Sequence, residues 1–130
     1  MPEPLIQLGE KMVIAMVHVP ALPGSPDYDR AGGMSRIMDA VIADLEALQS
    51  GGVDAVMFGN EFDRPYVLKA TPENLAALAA VIGQVKSMLS VPFGVNYLWD
   101  PVATVALAAA TEARFAREIY TGAYASDMGL

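Results

Sequence analysis

The chain has 130 residues, enough for one domain with a single core. Eight Lys and Arg stand against 15 Asp and Glu, a net charge of −7, which argues against a nucleic-acid binder and against docking through a polybasic membrane patch. Apolar residues make up 54% and charged residues 18%, the make-up of a cored globular domain, and the absence of Cys removes disulfides, zinc thiolates, iron–sulfur clusters and thiol nucleophiles.

No apolar run reaches the ~18 residues of a membrane helix. The start, Met1-Pro2-Glu3-Pro4, carries no basic segment ahead of an apolar one, so no signal peptide is expected. The expectation is a soluble, acidic, cytoplasmic domain.

In chain order, residues 12–19 form the first short apolar run, rich in Val, Ile and Met, and read as a strand. Alternation puts Met12, Ile14, Met16 and His18 on one face, with His18, the one His of the chain, at the strand's C-terminal end. A long segment stiffened by Pro20, Pro23 and Pro26 follows. It holds no G-x-G-x-x-G, which speaks against a dinucleotide-binding turn.

Residues 34–50 carry Met34, Ile37, Met38, Val41, Ile42, Leu45 and Leu48 at helical spacing, and Gly51-Gly52 ends the helix with the second Gly suited to a left-handed cap. Residues 53–59 are the second strand. Asn60 and Glu61 close it, and Phe62-Asp63-Arg64-Pro65-Tyr66 continue as a loop, where Asp63 reads as surface.

Residues 71–89 open Thr71-Pro72-Glu73, a natural N-cap, first-turn Pro and acidic start, and carry the stripe Leu75, Leu78, Ile82, Val85 and Leu89. Residues 91–98 are the third strand, with Gly94 leaving room for something bulky and Asn96 near its end. Asp100-Pro101 starts the third helix by the same logic, with Val102, Val105, Ala106 and Ala109 as its packing face. Residues 115–120 are the fourth strand, in which Arg117 and Glu118 point to opposite faces. The stretch 121–130 reads as a further loop bearing Ser126 and Asp127.

The order β1-α1-β2-α2-β3-α3-β4 predicts α/β architecture with parallel strands. Near-continuous apolar strands agree with it. Polar residues gather at the strand C-terminal ends, where a (βα)8 barrel builds its chemistry, so a TIM-type barrel is preferred over a doubly wound sheet. Such a barrel takes about 250 residues. Residues 1–130 are therefore read as one domain, the N-terminal half of a (βα)8-type barrel and a truncated chain. Its bare edges call for a second copy, a homo-oligomer, or for a missing C-terminal half.

The candidate chemistry follows the strand ends. His18 is suited to acid–base work, because imidazole titrates near neutrality. Glu61 is a general base or metal ligand and the partner of His18, or else a loop carboxylate paired with Arg64. Asn96 offers an amide to a substrate hydroxyl or carbonyl, and Arg117 a bidentate grip on a carboxylate or phosphate. Asp127 completes the candidate substrate-binding set. One His and no spacing motif argue against a metal on His18, Glu61 and Asp127, and no residue pattern names a cofactor. Asp100 reads as a helix cap.

The run His18-Val19-Pro20-Ala21-Leu22-Pro23-Gly24-Ser25-Pro26 resembles the H-x-P-x-L-P-G-S-P signature of the BtpA family. Gly51-Gly52-Val53-Asp54 fits it as well. Asn60-Glu61-Phe62 with Pro65-Tyr66, Pro92-Phe93-Gly94-Val95-Asn96 with Trp99-Asp100-Pro101, and Arg117-Glu118, Thr121-Gly122 and Ala125-Ser126-Asp127 resemble its SgcQ-type bacterial members. The resemblance implies a TIM-type barrel of the ribulose-phosphate-binding style. One member group is implicated in photosystem I accumulation, and others sit in apparent carbohydrate-utilisation gene clusters. Members run to roughly twice this length, as a closed barrel requires. At the end of the second strand the family more often has Glu-Asn where this chain has Asn60-Glu61. The expectation is an enzyme on a small polar or phosphorylated molecule, a sugar phosphate or nucleotide. The alternative is a non-catalytic photosystem I assembly or stability factor.

Overall fold

The structure, a computed structural model, describes residues 11–120. Its order is β1 (Ile14–His18), α1 (Gly33–Ser50), β2 (Ala55–Gly59), α2 (Pro72–Val85), a 3-10 turn (Lys86–Met88), β3 (Phe93–Asn96), α3 (Pro101–Thr111) and β4 (Phe115–Ala116). The four strands form one parallel sheet in the order β1-β2-β3-β4. Each strand neighbours the next in sequence, with a helix between them.

All three helices cover one face of the sheet. Val17, Val19, Val56, Phe58, Phe93 and Val95 form one core with Ile37, Val41 and Leu45 of α1, Leu78, Val81 and Ile82 of α2, and Leu107 of α3. The other face carries Ile14, Met16 and His18 on β1, in register with Ala55, Met57 and Gly59 on β2. Met57 and Gly59 in turn pair with Gly94 and Asn96, and Gly94 with Phe115. A doubly wound sheet places helices on both faces. Sequential parallel strands with every helix on one side are consistent with half of a TIM-type barrel, the bare face being the barrel interior.

Local sequence accounts for the element ends. Gly52 adopts φ +82°, the left-handed conformation that closes α1. Asp100 caps α3, its Oδ1 accepting from the Ala103 N–H at 2.9 Å. Gly94 makes room for an aromatic ring, because a Cβ there would lie 2.3 Å from Phe115 Cε2.

Three expectations are corrected. The second helix does not run to residue 89. It ends at Val85 and tightens into the 3-10 turn, where Gln49 of α1 bonds the Met88 carbonyl and the Ser90 N–H. The packing face of α3 is not Val102, Val105, Ala106 and Ala109, all of which are exposed; Ala103, Thr104, Leu107 and Thr111 are buried. Polar threonines serve there because their hydroxyls are satisfied, Thr104 by the Tyr97 carbonyl and Thr111 by the Leu107 carbonyl. The fourth strand is Phe115–Ala116 rather than 115–120, although the Arg117 N–H still bonds the Val95 carbonyl.

Candidate functional site

His18 ends β1, Gly59 ends β2 and Asn96 ends β3, and the three stand side by side in register. Residues paired across parallel strands share a face, so this row lies on the bare side, at the C-terminal rim. Glu61, two residues past the end of β2, folds back over Gly59. A Cβ at Gly59 would lie 2.5 Å from Glu61 Oε2. The carboxylate thus occupies space that only glycine leaves open.

Glu61 Oε1 lies 3.8 Å from His18 Nε2, within ion-pair range and longer than a hydrogen bond. The His18 side chain is 46% exposed and that of Glu61 only 18%. Glu61 Oε2 is buried and has no hydrogen-bond partner. The Phe62 ring meets the imidazole edge-on, 6.1 Å between centroids. The backbone behind Glu61 is held too. Its carbonyl accepts from Tyr66 OH at 2.8 Å and from Arg64 Nε at 3.3 Å. Arg64 therefore grips the main chain of Glu61 and leaves its carboxylate to His18.

Asn96 spends half its amide on structure. Nδ2 donates to the Arg117 carbonyl at 2.6 Å and to Glu118 Oε2 at 3.1 Å. Two acceptors on one side fix the amide orientation. Oδ1 is left buried and unpartnered. Glu118, to which the sequence alone assigns no role, joins three elements. Its Oε2 also accepts from Thr104 Oγ1 at 3.1 Å, and its Oε1 from the Ile119 N–H at 2.9 Å. Arg117 follows β4 at the same end of the sheet and is exposed. Among the described residues its guanidinium pairs with neither Glu61 nor any other carboxylate. Asp127 lies outside the described residues.

Asp63 is corrected from surface to interior. It is 8% exposed. Its Oδ1 accepts from the Leu22 N–H at 2.8 Å and its Oδ2 from Asn60 Nδ2 at 3.3 Å. Asn60, also buried, accepts the Leu98 N–H at 2.7 Å. Asp63 thus latches the β1–α1 loop to the β2–α2 loop, and Asn60 carries the latch to the loop after β3. Burial pushes the Asp63 carboxyl above the usual carboxylate range, opposed by the Leu22 N–H. Tyr97, whose hydroxyl donates to Asn74 Oδ1 at 2.8 Å, has its phenol pushed up by burial and by the charges of Asp63, Asp100 and Glu73. These loop anchors escape sequence reading because the partners Leu22, Leu98 and Asn74 lie tens of residues from Asp63, Asn60 and Tyr97. Asn74, in the first turn of α2, is buried all the same.

Among the described residues, no group of three or more His, Asp or Glu side chains is placed to hold a metal ion, and no helix is long and apolar enough to cross a membrane. Among the described residues, the rim offers the His18 imidazole, the Glu61 carboxylate with an unpartnered oxygen, the Asn96 amide with an unpartnered oxygen, and the Arg117 guanidinium with no carboxylate partner.

Comparison with known proteins gives this geometry a family. The chain is 60% identical over 121 residues to the putative sgc region protein SgcQ of Escherichia coli, covering 93% of this chain and 45% of that protein. It is 36% identical over 127 residues to an uncharacterized protein of Pyrococcus abyssi, 96% of this chain and 48% of the other. It is 30% identical over 121 residues to the photosystem I biogenesis protein BtpA of Synechocystis, 91% of this chain and 42% of the other. The chain spans about half the length of the curated relatives it matches. No solved structure matches it. The family model described as the BtpA family matches residues 9–130, nearly the whole chain, and the protein belongs to that family.

Proposed function

We propose that this chain supplies the acid–base half of a TIM-type barrel enzyme, which acts in the cytoplasm on a small polar substrate, a sugar phosphate or nucleotide, in carbohydrate metabolism. The observation that carries the reading is the His18–Glu61 pair over Gly59. A carboxylate beside an imidazole orients the ring and stabilises its charged form, as acid–base catalysis requires. The 3.8 Å separation is of the kind that tightens when substrate closes the site. His18 transfers the proton, Glu61 orients it, and Asn96 Oδ1 and Arg117 hold the substrate, with Asp127 the further candidate. Homo-oligomerisation or a C-terminal half would close the remaining side of the site.

The test is turnover of a panel of sugar phosphates and nucleotides by the full-length protein, followed by mass spectrometry. His18→Ala should lower turnover at least ~100-fold, the scale of a lost general acid–base. Turnover unchanged in that variant overturns the assignment. No turnover of any panel member, with photosystem I accumulation dependent on the protein in a photosynthetic host, would favour the non-catalytic reading suggested by the name of the Synechocystis relative.

A further inference from the structure

The turn that follows β2 displays two side chains. The Asp63 N–H bonds the Asn60 carbonyl at 3.0 Å, which puts Glu61 and Phe62 at its two central positions. Glu61 folds back over Gly59 toward His18. Phe62 sets its ring against the imidazole, with 78° between the planes.

The main chain on either side of Phe62 is braced. Before it, the Glu61 carbonyl accepts from Tyr66 OH and Arg64 Nε. After it, Asp63 is buried and holds the Leu22 N–H. The place of the ring is thus set by the turn.

Half of that ring is open. Phe62 is 48% exposed, and the His18 side chain 46%. Turn centres favour Gly, Asn, Asp and Ser, and a benzyl group left half in water there forgoes apolar burial. A lone apolar side chain on a surface is ordinary. This one borders the imidazole that carries the proton in the acid–base reading. Two half-open rings near right angles bound a corner. A flat group stacked on the phenyl ring stands edge-on to the imidazole and does not cover it.

The same loop presents cations to water. Arg64 and Lys69 are exposed, while Asp63 is buried. Among the described residues Arg64 bonds through Nε alone, to the Glu61 carbonyl and the Tyr66 hydroxyl, and neither Arg64 nor Lys69 has a carboxylate partner. On a chain of net charge −7, this loop is therefore a place where an anion is accommodated.

Ring and cations together select the substrate. A neutral sugar leaves the cations unused, and a sugar phosphate leaves the phenyl ring in water. A nucleoside phosphate engages both, its base on the ring and its phosphate among the cations. We propose, resting on the acid–base reading of the rim, that Phe62 is a specificity-determining residue that stacks the base of a nucleoside phosphate beside His18.

Calorimetric titration of the full-length protein with AMP, GMP, CMP and UMP, and with ribose 5-phosphate as the matching anion without a base, tests this. At least one nucleotide should bind about tenfold tighter than ribose 5-phosphate, the worth of one stacked base. Its base protons should shift upfield in the NMR spectrum under the phenyl ring current. Phe62→Leu should erase both the preference and the shift with unchanged circular dichroism, and Phe62→Tyr, which keeps the ring, should retain them. Absence of nucleotide binding overturns the proposal. So does equal binding of nucleotides and ribose 5-phosphate, or a preference that survives in Phe62→Leu. Failure of the acid–base reading looks different: His18→Ala with full turnover would remove the proton carrier and leave base stacking in place, whereas turnover of sugar phosphates with no base preference would keep His18 and remove Phe62.

Discussion

The carboxylate of Glu61 lies where a side chain at residue 59 would be, with Oε2 only 2.5 Å from the position of a Cβ on Gly59. This makes Gly59 a positioning residue for the His18–Glu61 pair. Gly59→Ala should push Glu61 off His18. The displaced atoms are the far end of a flexible side chain, so the fold has little to lose. The expected outcome is turnover down tenfold or more, since misplacing a catalytic group by about 1 Å can cost ~100-fold. The melting temperature should stay near wild type, as for substitutions that leave packing intact. A variant that loses stability and activity together would assign Gly59 a purely structural role.

Gly94 poses the opposite case. A Cβ there would lie 2.3 Å from the Phe115 ring, which joins β4 to the bare face of the sheet. A ring cannot swing aside like a carboxylate. Gly94→Ala should therefore overpack the site and destabilise by about 1–3 kcal/mol. Denaturant unfolding measures it, and Gly94→Ala combined with Phe115→Leu should recover part of the loss. No recovery would mean that the clash lies elsewhere.

Asp63 makes two predictions separable by chemistry. Asp63→Ala leaves the Leu22 N–H buried without an acceptor and should cost about 1–3 kcal/mol. The pH dependence comes from the raised carboxyl. Below the unfolded-state value both states hold the proton and ionisation has no effect on stability. As pH rises from that value to the higher folded one, the unfolded chain releases its proton first, so stability falls. Asp63→Asn has no such proton. Wild type should therefore lose ground to Asp63→Asn as pH rises from about 3 through the usual carboxylate range, and the gap should level off above the raised value. Parallel urea titrations across that range check it, and a constant gap would contradict the buried-acid assignment.

Legibility in the sequence divides along local and distant causes. The α1 stripe through Ile37, Val41 and Leu45, the Gly52 stop and the Asp100 cap are all local, and all are present in the structure. Parallel order comes from the alternation of elements, and the shared face of Ile14, Met16 and His18 from the period of two. The misread elements turn on partners far away in sequence. Asp63 looks solvated until the Leu22 N–H, 41 residues earlier, is brought to it. The α3 face looks apolar at Val102 and Val105, yet the sheet takes the Thr104 side, because the Tyr97 backbone is there to satisfy the hydroxyl. At the site, chain alternation brings His18 and Asn96 to one row, while the fold-back of Glu61 over Gly59 depends on a loop turn that no period encodes.

The exposed side of α3 leads to the last prediction. Val102 is 79% exposed and Val105 54%, one helical turn apart, with Ile119 and Tyr120 exposed near the β4 edge. On the β1 side of the sheet Val13 and Ile14, just before and at the start of β1, are exposed. Among the described residues, β1 and β4 each pair on one side only. In a barrel the next strand would take the free side of β4, and the next helix would cover Val102 and Val105. Unpaired strand edges and contiguous apolar surface drive association in water. The 130-residue chain should therefore scatter light as a species heavier than its 13.8 kDa monomer. Val102→Asp with Val105→Asp should move the population toward monomer, since both positions are solvent-facing within one chain and carry none of its core. A monodisperse mass of one chain with a sharp cooperative melt would show instead that four strands and three helices suffice on their own, and that the bare face needs no second half to stay in water.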